Sequence, residues 1–297
     1  MKVRFSCVID QHPKFGRQAF VWAASLLAYG GADTDSIVIH TVGEYSGEYR
    51  KVFDDWGIEI RVVRPFDPRH PNSNKLSQLE SEALESADYV VLCDCDTSFC
   101  EDISSEIGGL SIRARIGSYT GLPLHRWEKL YCAAGLDLPD GRITALLDGQ
   151  PTLPGYCNGG IYILPQPLFQ RLREVWPRWD RWLLDRNSLI QPFGAFADQI
   201  SFAMSCAEMS VSVDYLPLEL NFDGISRPRT LYRVSGKTEI YPLVLHYHQM
   251  DEQGLLPLTK IRSVNRQIWK INDLIRLAEQ VNFDKPSLML LRERQIA

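Results

Sequence analysis

The chain has no long apolar run, no surplus of positive charge and no even complement of cysteines. No stretch approaches the roughly eighteen consecutive apolar residues that cross a bilayer, so no transmembrane segment is expected and any membrane contact is peripheral. The N-terminus, Met1 to Ile9, enters a strand pattern directly, without the apolar block of a signal peptide. A net charge of -5 and a pI near 5.7 argue against nucleic acid as the main partner, because phosphate backbones favour strongly basic surfaces. The seven cysteines (Cys7, Cys93, Cys95, Cys100, Cys132, Cys157 and Cys206) are odd in number, and several sit inside apolar strand patterns. That usage predicts buried thiols in a reducing cytoplasm and no disulfide framework. Internal repeats, low-complexity tracts and convincing linkers are missing too.

What is present is ordinary globular material, 45% hydrophobic and 23% charged over 297 residues, enough for one large domain or two small ones. Its most informative stretch is Tyr89-Val90-Val91-Leu92-Cys93-Asp94-Cys95-Asp96-Thr97, an apolar run that stops at two carboxylates one residue apart. The run reads as a strand buried on both faces, and strand alternation predicts that Asp94 and Asp96 project on one side of its carboxyl end. Open α/β sheets bind ligands at that end. Two carboxylates held so close repel each other, and a divalent cation shared with substrate phosphate oxygens is the simplest relief.

The surrounding pattern alternates strand and helix. Strand signals fall at Val3 to Ile9, Ser36 to Val42, Ile58 to Val63 and Tyr89 to Cys93. Phe20, Ala23, Ala24 and Leu27 mark an amphipathic helix closed by Gly30-Gly31, and Leu76, Leu79, Ala83 and Leu84 predict another just before the acidic strand. This is the rhythm of a parallel, nucleotide-binding sheet. From about Gly117 to Gly155 it loosens, as excursions that serve a binding face do. A strand at Gly160 to Leu164, helices over Leu168 to Leu184 and Asp198 to Glu208, strands near Val211 to Leu216 and Ile240 to Tyr247, and a helix from about Val264 to Val281 complete the pattern.

Four further clusters follow in chain order: Gly155-Tyr156-Cys157-Asn158-Gly159-Gly160-Ile161-Tyr162, Phe196-Ala197-Asp198-Gln199, Leu216-Pro217-Leu218-Glu219-Leu220-Asn221-Phe222, and Leu245-His246-Tyr247-His248. With Asp94-Cys95-Asp96 they resemble the GT-A glycosyltransferases, most closely the retaining family 8 type that includes glycogenin and lipopolysaccharide galactosyl- and glucosyltransferases. The resemblance runs from Val3 to about His248. It implies an α/β fold with a mostly parallel central sheet flanked by helices and a C-terminal helical tail. The transferase domain would cover residues 1–255, with a nucleotide-binding half to about 116 and an acceptor-side half beyond it, and the tail residues 256–297.

The resemblance also implies an activity: metal-dependent transfer of a sugar from a nucleoside diphosphate sugar, with a UDP-sugar expected, to a hydroxyl on a saccharide, glycolipid or protein, with retention. Mn²⁺ or Mg²⁺ would be held by Asp94, Asp96 and His246. Asn158 and Gly159 would lie beside donor sugar and acceptor, and Asp198 and Gln199 would grip the donor sugar. Nucleotide contacts would fall at Val8, Ile9 and Asp10, with Lys75, Cys95 and His248 completing the donor site. After His246-Tyr247 the family has a Gly and then Lys-Pro-Trp, whose Gly and Lys hold the diphosphate; this chain reads His248-Gln249-Met250-Asp251-Glu252-Gln253-Gly254 instead. Lys260 and Arg262 are candidates to replace the missing lysine.

Bland readings stand beside these. Asn158-Gly159-Gly160 alone reads as a tight turn, and Asp198-Gln199 alone as the first turn of a helix, where Asp suits the macrodipole. His246 and His248 alternate on the predicted strand and so face one side. Cys93, Cys95 and Cys100 lack the matching second pair of a zinc site. Trp176, Trp179 and Trp182 read as helix packing, with Trp176 and Trp179 on a face that would also suit stacking on a sugar. Two rival functions remain: a haloacid dehalogenase-like phosphatase using Asp94 as nucleophile, and a non-catalytic nucleotide-sugar binding protein. The first places its motif after the first strand of its domain and needs a downstream acidic pair that this chain does not offer.

Overall fold

The computed structural model describes residues 1–223 and 236–285. Its elements in chain order are β1 (Val3–Ile9), α1 (Pro13–Ala28), β2 (Ile37–Val42), α2 (Arg50–Trp56), β3 (Glu59–Val63), β4 (Tyr89–Cys93), β5 (Thr97–Phe99) and β6 (Ile112–Ile116). There follow α3 (Leu124–Ala134), β7 (Ile143–Thr144), β8 (Pro151–Thr152), β9 (Cys157–Pro165), α4 (Gln166–Asp185), α5 (Ala197–Met209), β10 (Val213–Tyr215), β11 (Val244–His246) and α6 (Arg262–Gln280).

Seven strands form the main sheet in the order β10-β6-β9-β4-β1-β2-β3. All neighbours are parallel except at β9, which runs antiparallel to both β4 and β6. The near-continuous apolar sequences of β2 and β4 follow from this position, since strands covered on both faces need no polar alternation. Register pairs Cys7 with Cys93 and Cys93 with Ile161, so the carboxyl ends of β1 and β4 lie level, with the β9 segment Asn158–Gly160 across from the residues that follow β4. That level is the floor of the site.

One face of the sheet is closed by α1 and α6, through Phe20, Trp22, Leu26, Ile268 and Ile275. The other is closed by α4 and α5 with Leu76 and Leu79, through Phe169, Trp176 and Phe202. A third apolar cluster joins α3 to α4 and α5 around Trp127, Tyr131 and Trp179. Pro at the first turn of α1 and a His12 side chain accepting from the Lys14 amide start that helix without orphaned donors.

Two expectations need correction. The helix predicted through Leu76 to Leu84 is a pair of 3₁₀ segments, Pro71–Glu80 and Glu82–Leu84. Side chains there bond away from a helical path: Asn74 Oδ1 accepts from the Phe66 amide, and Ser77 Oγ donates to the Arg64 carbonyl. The strand predicted over Ile240 to Tyr247 shrinks to β11, because its partner β5 has only three residues to pair. Residues 286–297 of the anticipated tail lie outside the described residues. Among the described residues, no helix is long and apolar enough to cross a membrane.

Candidate active site

The chain leaves β4 at Cys93, so Asp94 and Asp96 sit in a tight turn rather than on the strand. The Thr97 amide (3.2 Å) and hydroxyl (2.9 Å) both donate to the Asp94 carbonyl and close the turn, and β5 begins at once. Both carboxylates therefore reach the same cavity by turn geometry, not by strand alternation. Cys95 between them is buried, and burial pushes its thiol well up. All seven cysteines are free.

The cavity has a volume of about 580 Å³. It gathers Val8, Asp10, Lys75, Asp94, Cys95, Asp96, Asn158, Gly159, Asp198, Gln199, His246 and His248 from distant parts of the chain. Ile9, also expected there, turns into the core instead, because alternation along β1 sends Val8 and Asp10 to the cavity and Ile9 to the opposite face. Lys260 and Arg262 are exposed and outside the lining, where Lys75 is the only lysine or arginine among the described residues. Trp176 and Trp179 are core residues, and Trp176 Nε1 donates to the Asp198 carbonyl at 2.9 Å.

The charged groups form two linked systems, joined where Asp94 Oδ2 lies 3.7 Å from His246 Nε2. Lys75 Nζ lies 2.6 Å from Asp94 Oδ1 and 3.1 Å from Asp198 Oδ2, bridging the acidic turn to the first turn of α5. Burial opposes its charge, yet Asp198 and Asp94 hold the ammonium above its ordinary value. Burial pushes the Asp94 carboxyl up against the pull of Lys75. On the other side His246 Nε2 lies 3.2 Å from Asp96 Oδ1, His248 Nδ1 lies 3.7 Å from Asp96 Oδ2, and the imidazole rings are 4.0 Å apart. Burial works against charge here too, but the two imidazoles hold Asp96 well below the usual carboxylate range, and Asp96 with Asp94 holds His246 above the usual imidazole value. The two histidines do not meet by strand alternation: β11 ends at His246, and His248 is in the left-handed region at φ 58°.

The tautomer of His246 is fixed from behind. Asn158 Oδ1 accepts from the Gly160 amide and Asn221 Nδ2, both at 2.9 Å, and lies 3.2 Å from His246 Nδ1. An amide oxygen only accepts, so Nδ1 carries a hydrogen and Nε2 is the nitrogen turned toward Asp96, donating to it in the protonated ring and available as a ligand once that proton leaves. Oxygen and nitrogen atoms of Asp96, His246 and His248 all lie within 4.8 Å of one another, so this donor set fits a metal ion.

Two glycines make room for these groups. A Cβ on Gly159 would sit 2.5 Å from Lys75 Nζ and 3.3 Å from Asp94 Oδ2; one on Gly160 would sit 2.5 Å from both Asn221 Oδ1 and His246 Nδ1. Behind them Arg115 Nη2 pairs with Asp223 Oδ2 at 2.8 Å, both residues buried, while Ser118 Oγ and Asn158 Nδ2 also donate to Asp223. Sequence reading singled out neither Arg115 nor Asp223. Asp223 follows Asn221-Phe222 directly, and that adjacency was the available signal.

Solved structures share this architecture. Galactosyltransferase LgtC in complex with donor and acceptor sugar analogs aligns with a TM-score of 0.56 at 15% identity, covering 93% of this chain and 95% of that one. Mouse xyloside xylosyltransferase 1 aligns at 0.50 and 14% identity, covering 87% and 100%. GlyE of Streptococcus pneumoniae TIGR4 aligns at 0.52 and 13%, covering 95% and 64%. Such low identities establish the fold alone, and no curated protein sequence matches. The sheet order, with antiparallel β9 beside β4, and these likenesses give the fold, that of the GT-A glycosyltransferases. The chain belongs to the Rhodobacterales glycosyltransferase domain family, whose domain model matches residues 6–210, and it is a glycosyltransferase. The phosphatase reading is thereby set aside.

Proposed function

We propose that the enzyme transfers a sugar from a nucleoside diphosphate sugar, a UDP-sugar by preference, to a hydroxyl acceptor, with retention and with Mn²⁺ or Mg²⁺ bound. The observation that carries this reading is Nε2 of His246 turned onto the carboxylates of the acidic turn, 3.2 Å from Asp96 and 3.7 Å from Asp94, in a cavity at the carboxyl end of β4. The acidic turn and His246 would hold the cation, which when bound neutralises diphosphate charge as the nucleotide departs. Val8 and Asp10 would line the nucleoside end. Asp198, paired with Lys75 at 3.1 Å, orients sugar hydroxyls, and Gln199 stands beside the anomeric carbon where charge develops. LgtC, which shares this fold, has been solved as an active-site Gln-to-Glu mutant, which supports a catalytic role for Gln199. Free cysteines suit work in the cytoplasm.

The test is a panel of nucleotide sugars assayed with Mn²⁺ and with chelator. Asp198→Asn and Gln199→Ala should keep metal-dependent UDP affinity within a fewfold while turnover falls on the order of a hundredfold, the scale of a lost transition-state contact. The proton coupling of the new glycosidic bond reports the anomeric outcome. An inverted product would remove the retaining assignment and recast Asp198 as the base that deprotonates the acceptor.

A further inference from the structure

We infer that the chain has a second saccharide-binding site, apart from the catalytic cavity, in the hollow beside the end of β3 where Arg64, Phe66, Glu80, Glu82 and Arg181 come together. The hollow has a volume of about 540 Å³, close to that of the catalytic cavity and inside the roughly 300–1,000 Å³ range of small-molecule sites. Three separate parts of the chain build it: β3 with the residues that leave it, the 3₁₀ segments Pro71–Glu80 and Glu82–Leu84, and α4. The transfer reaction proposed above makes no use of it.

The chemistry of the walls selects the ligand. Arg61, Arg64 and Arg181 offer only donors, Glu80 and Glu82 offer only acceptors when ionised, and the hydroxyls of Ser77 and Ser81 offer both. A phosphate would meet the arginines but also two carboxylates of its own sign. An apolar ligand would strip water from all of these groups and give nothing back. A saccharide hydroxyl donates and accepts at once, so it is served by donors and acceptors standing side by side, while Pro65, Phe66 and Ala83 supply apolar surface for the C–H face of a sugar ring.

Several of these groups are held in place before a ligand arrives. The Arg181 guanidinium lies 4.6 Å from the centre of the Phe66 ring and 3.7 Å from Glu80 Oε1. Ser77 Oγ donates to the Arg64 carbonyl at 2.8 Å, which leaves its oxygen to accept. The location adds a use for the site. Segment Pro71–Glu80 is the wall between the two cavities, with Asn72, Asn74 and Lys75 on the catalytic side and Ser77 and Glu80 on this one. A saccharide long enough to reach both would be held at two points, and the second raises the effective concentration of its end at the first. That use rests on the transfer to a saccharide proposed above, whereas binding in the hollow does not.

The test is therefore made in chelator and without nucleotide, so that it stands apart from any failure of the transfer reading. Lactose, maltotriose and di-N-acetylchitobiose, with inorganic phosphate as the counter-probe, are titrated into the isotope-labelled full chain. At least one of the three sugars should shift the side-chain N–H resonances of Arg64 and Arg181 saturably, with a Kd on the order of 1 mM, and phosphate should not. Arg181→Gln and Glu82→Gln, both at exposed positions, should melt with the parent and weaken that binding about fivefold each, the scale of a lost hydrogen bond. The inference is overturned if none of the sugars moves the two arginines, if sugar shifts are confined to the catalytic cavity, if phosphate alone moves the arginines, or if both variants bind as the parent does.

Discussion

The two carboxylates of the acidic turn are two residues apart and are balanced in different ways. Asp94 faces an ammonium shared with Asp198 through one oxygen and His246 at 3.7 Å through the other, while Asp96 faces two imidazoles and no ammonium. A half-buried ammonium between two carboxylates is a permanent counter-ion. An imidazole gives up its proton readily, and its nitrogen is then a ligand. One carboxylate is therefore balanced mainly by a fixed ammonium and the other by imidazoles whose charge can change, although the sequence offers the same residue type at both positions.

The largest effect that tests this division is on the lysine side. Lys75→Met leaves Asp94 and Asp198 without their shared cation, and should cost about 3 kcal/mol in urea unfolding, the low end for a broken buried pair because Lys75 and Asp94 are only half-buried. A variant as stable as the parent would make Lys75 an ordinary surface contact. Next comes the imidazole side: Asp96→Ala should remove the extra stabilisation that UDP gives with Mn²⁺ present, about 2.7 kcal/mol at a hundred times Kd. Equal thermal shifts for parent and variant in chelator and in Mn²⁺ would erase the distinction. Asn158→Leu should weaken Mn²⁺ binding on the order of tenfold, about 1.4 kcal/mol by calorimetry, because His246 loses the acceptor that fixes its tautomer.

The smallest effect lies behind Lys75 and Asp198. Buried Asp180 accepts from Ser201, and burial raises its carboxyl to about 6; buried His40, paired with Ser6, is lowered to about 4 by burial. The raised Asp180 value contributes stability that is present below about pH 4 and lost as pH rises through about 6. The lowered His40 value contributes stability present above about 6.5 and lost as pH falls through about 4. The two slopes oppose each other between pH 4 and 6. Asp180→Asn should leave the histidine slope exposed, so that stability falls on acidification by up to about 1.4 kcal/mol per pH unit. Parallel pH profiles of unfolding midpoints for parent and variant would show that Asp180 does not titrate in that window.

Much of the fold was legible because parallel strands covered on both faces announce themselves: β1 and β4 begin and end at the residues their apolar runs predict. Periodicity was a weaker guide where side chains bond to nearby backbone. Leu76 and Leu79 keep a helical spacing while Asn74 and Ser77 pull the segment into a 3₁₀ path. Alternation placed Asp94 with Asp96, and His246 with His248, on common sides for a reason that does not hold, since turns rather than strands bring each pair together. Arg115 was out of reach. Within Ile112-Arg113-Ala114-Arg115-Ile116 it reads as a solvent-facing arginine, and only the tertiary approach of Asp223 explains its burial.

Gly159 and Gly160 carry a consequence for how such a site can change. Neither has a backbone that demands glycine; what they supply is empty volume inside β9, filled by Lys75, Asp94, Asn221 and His246. Ordinary residues could return to these positions only after the polar cluster had gone, and the cluster could not have assembled before the space existed. Mutational paths toward or away from this chemistry thus pass through a pair of alpha-carbons, and the order of steps is dictated by sterics. A lineage that lost transfer activity would be expected to keep its sheet and regain side chains at 159 and 160 last.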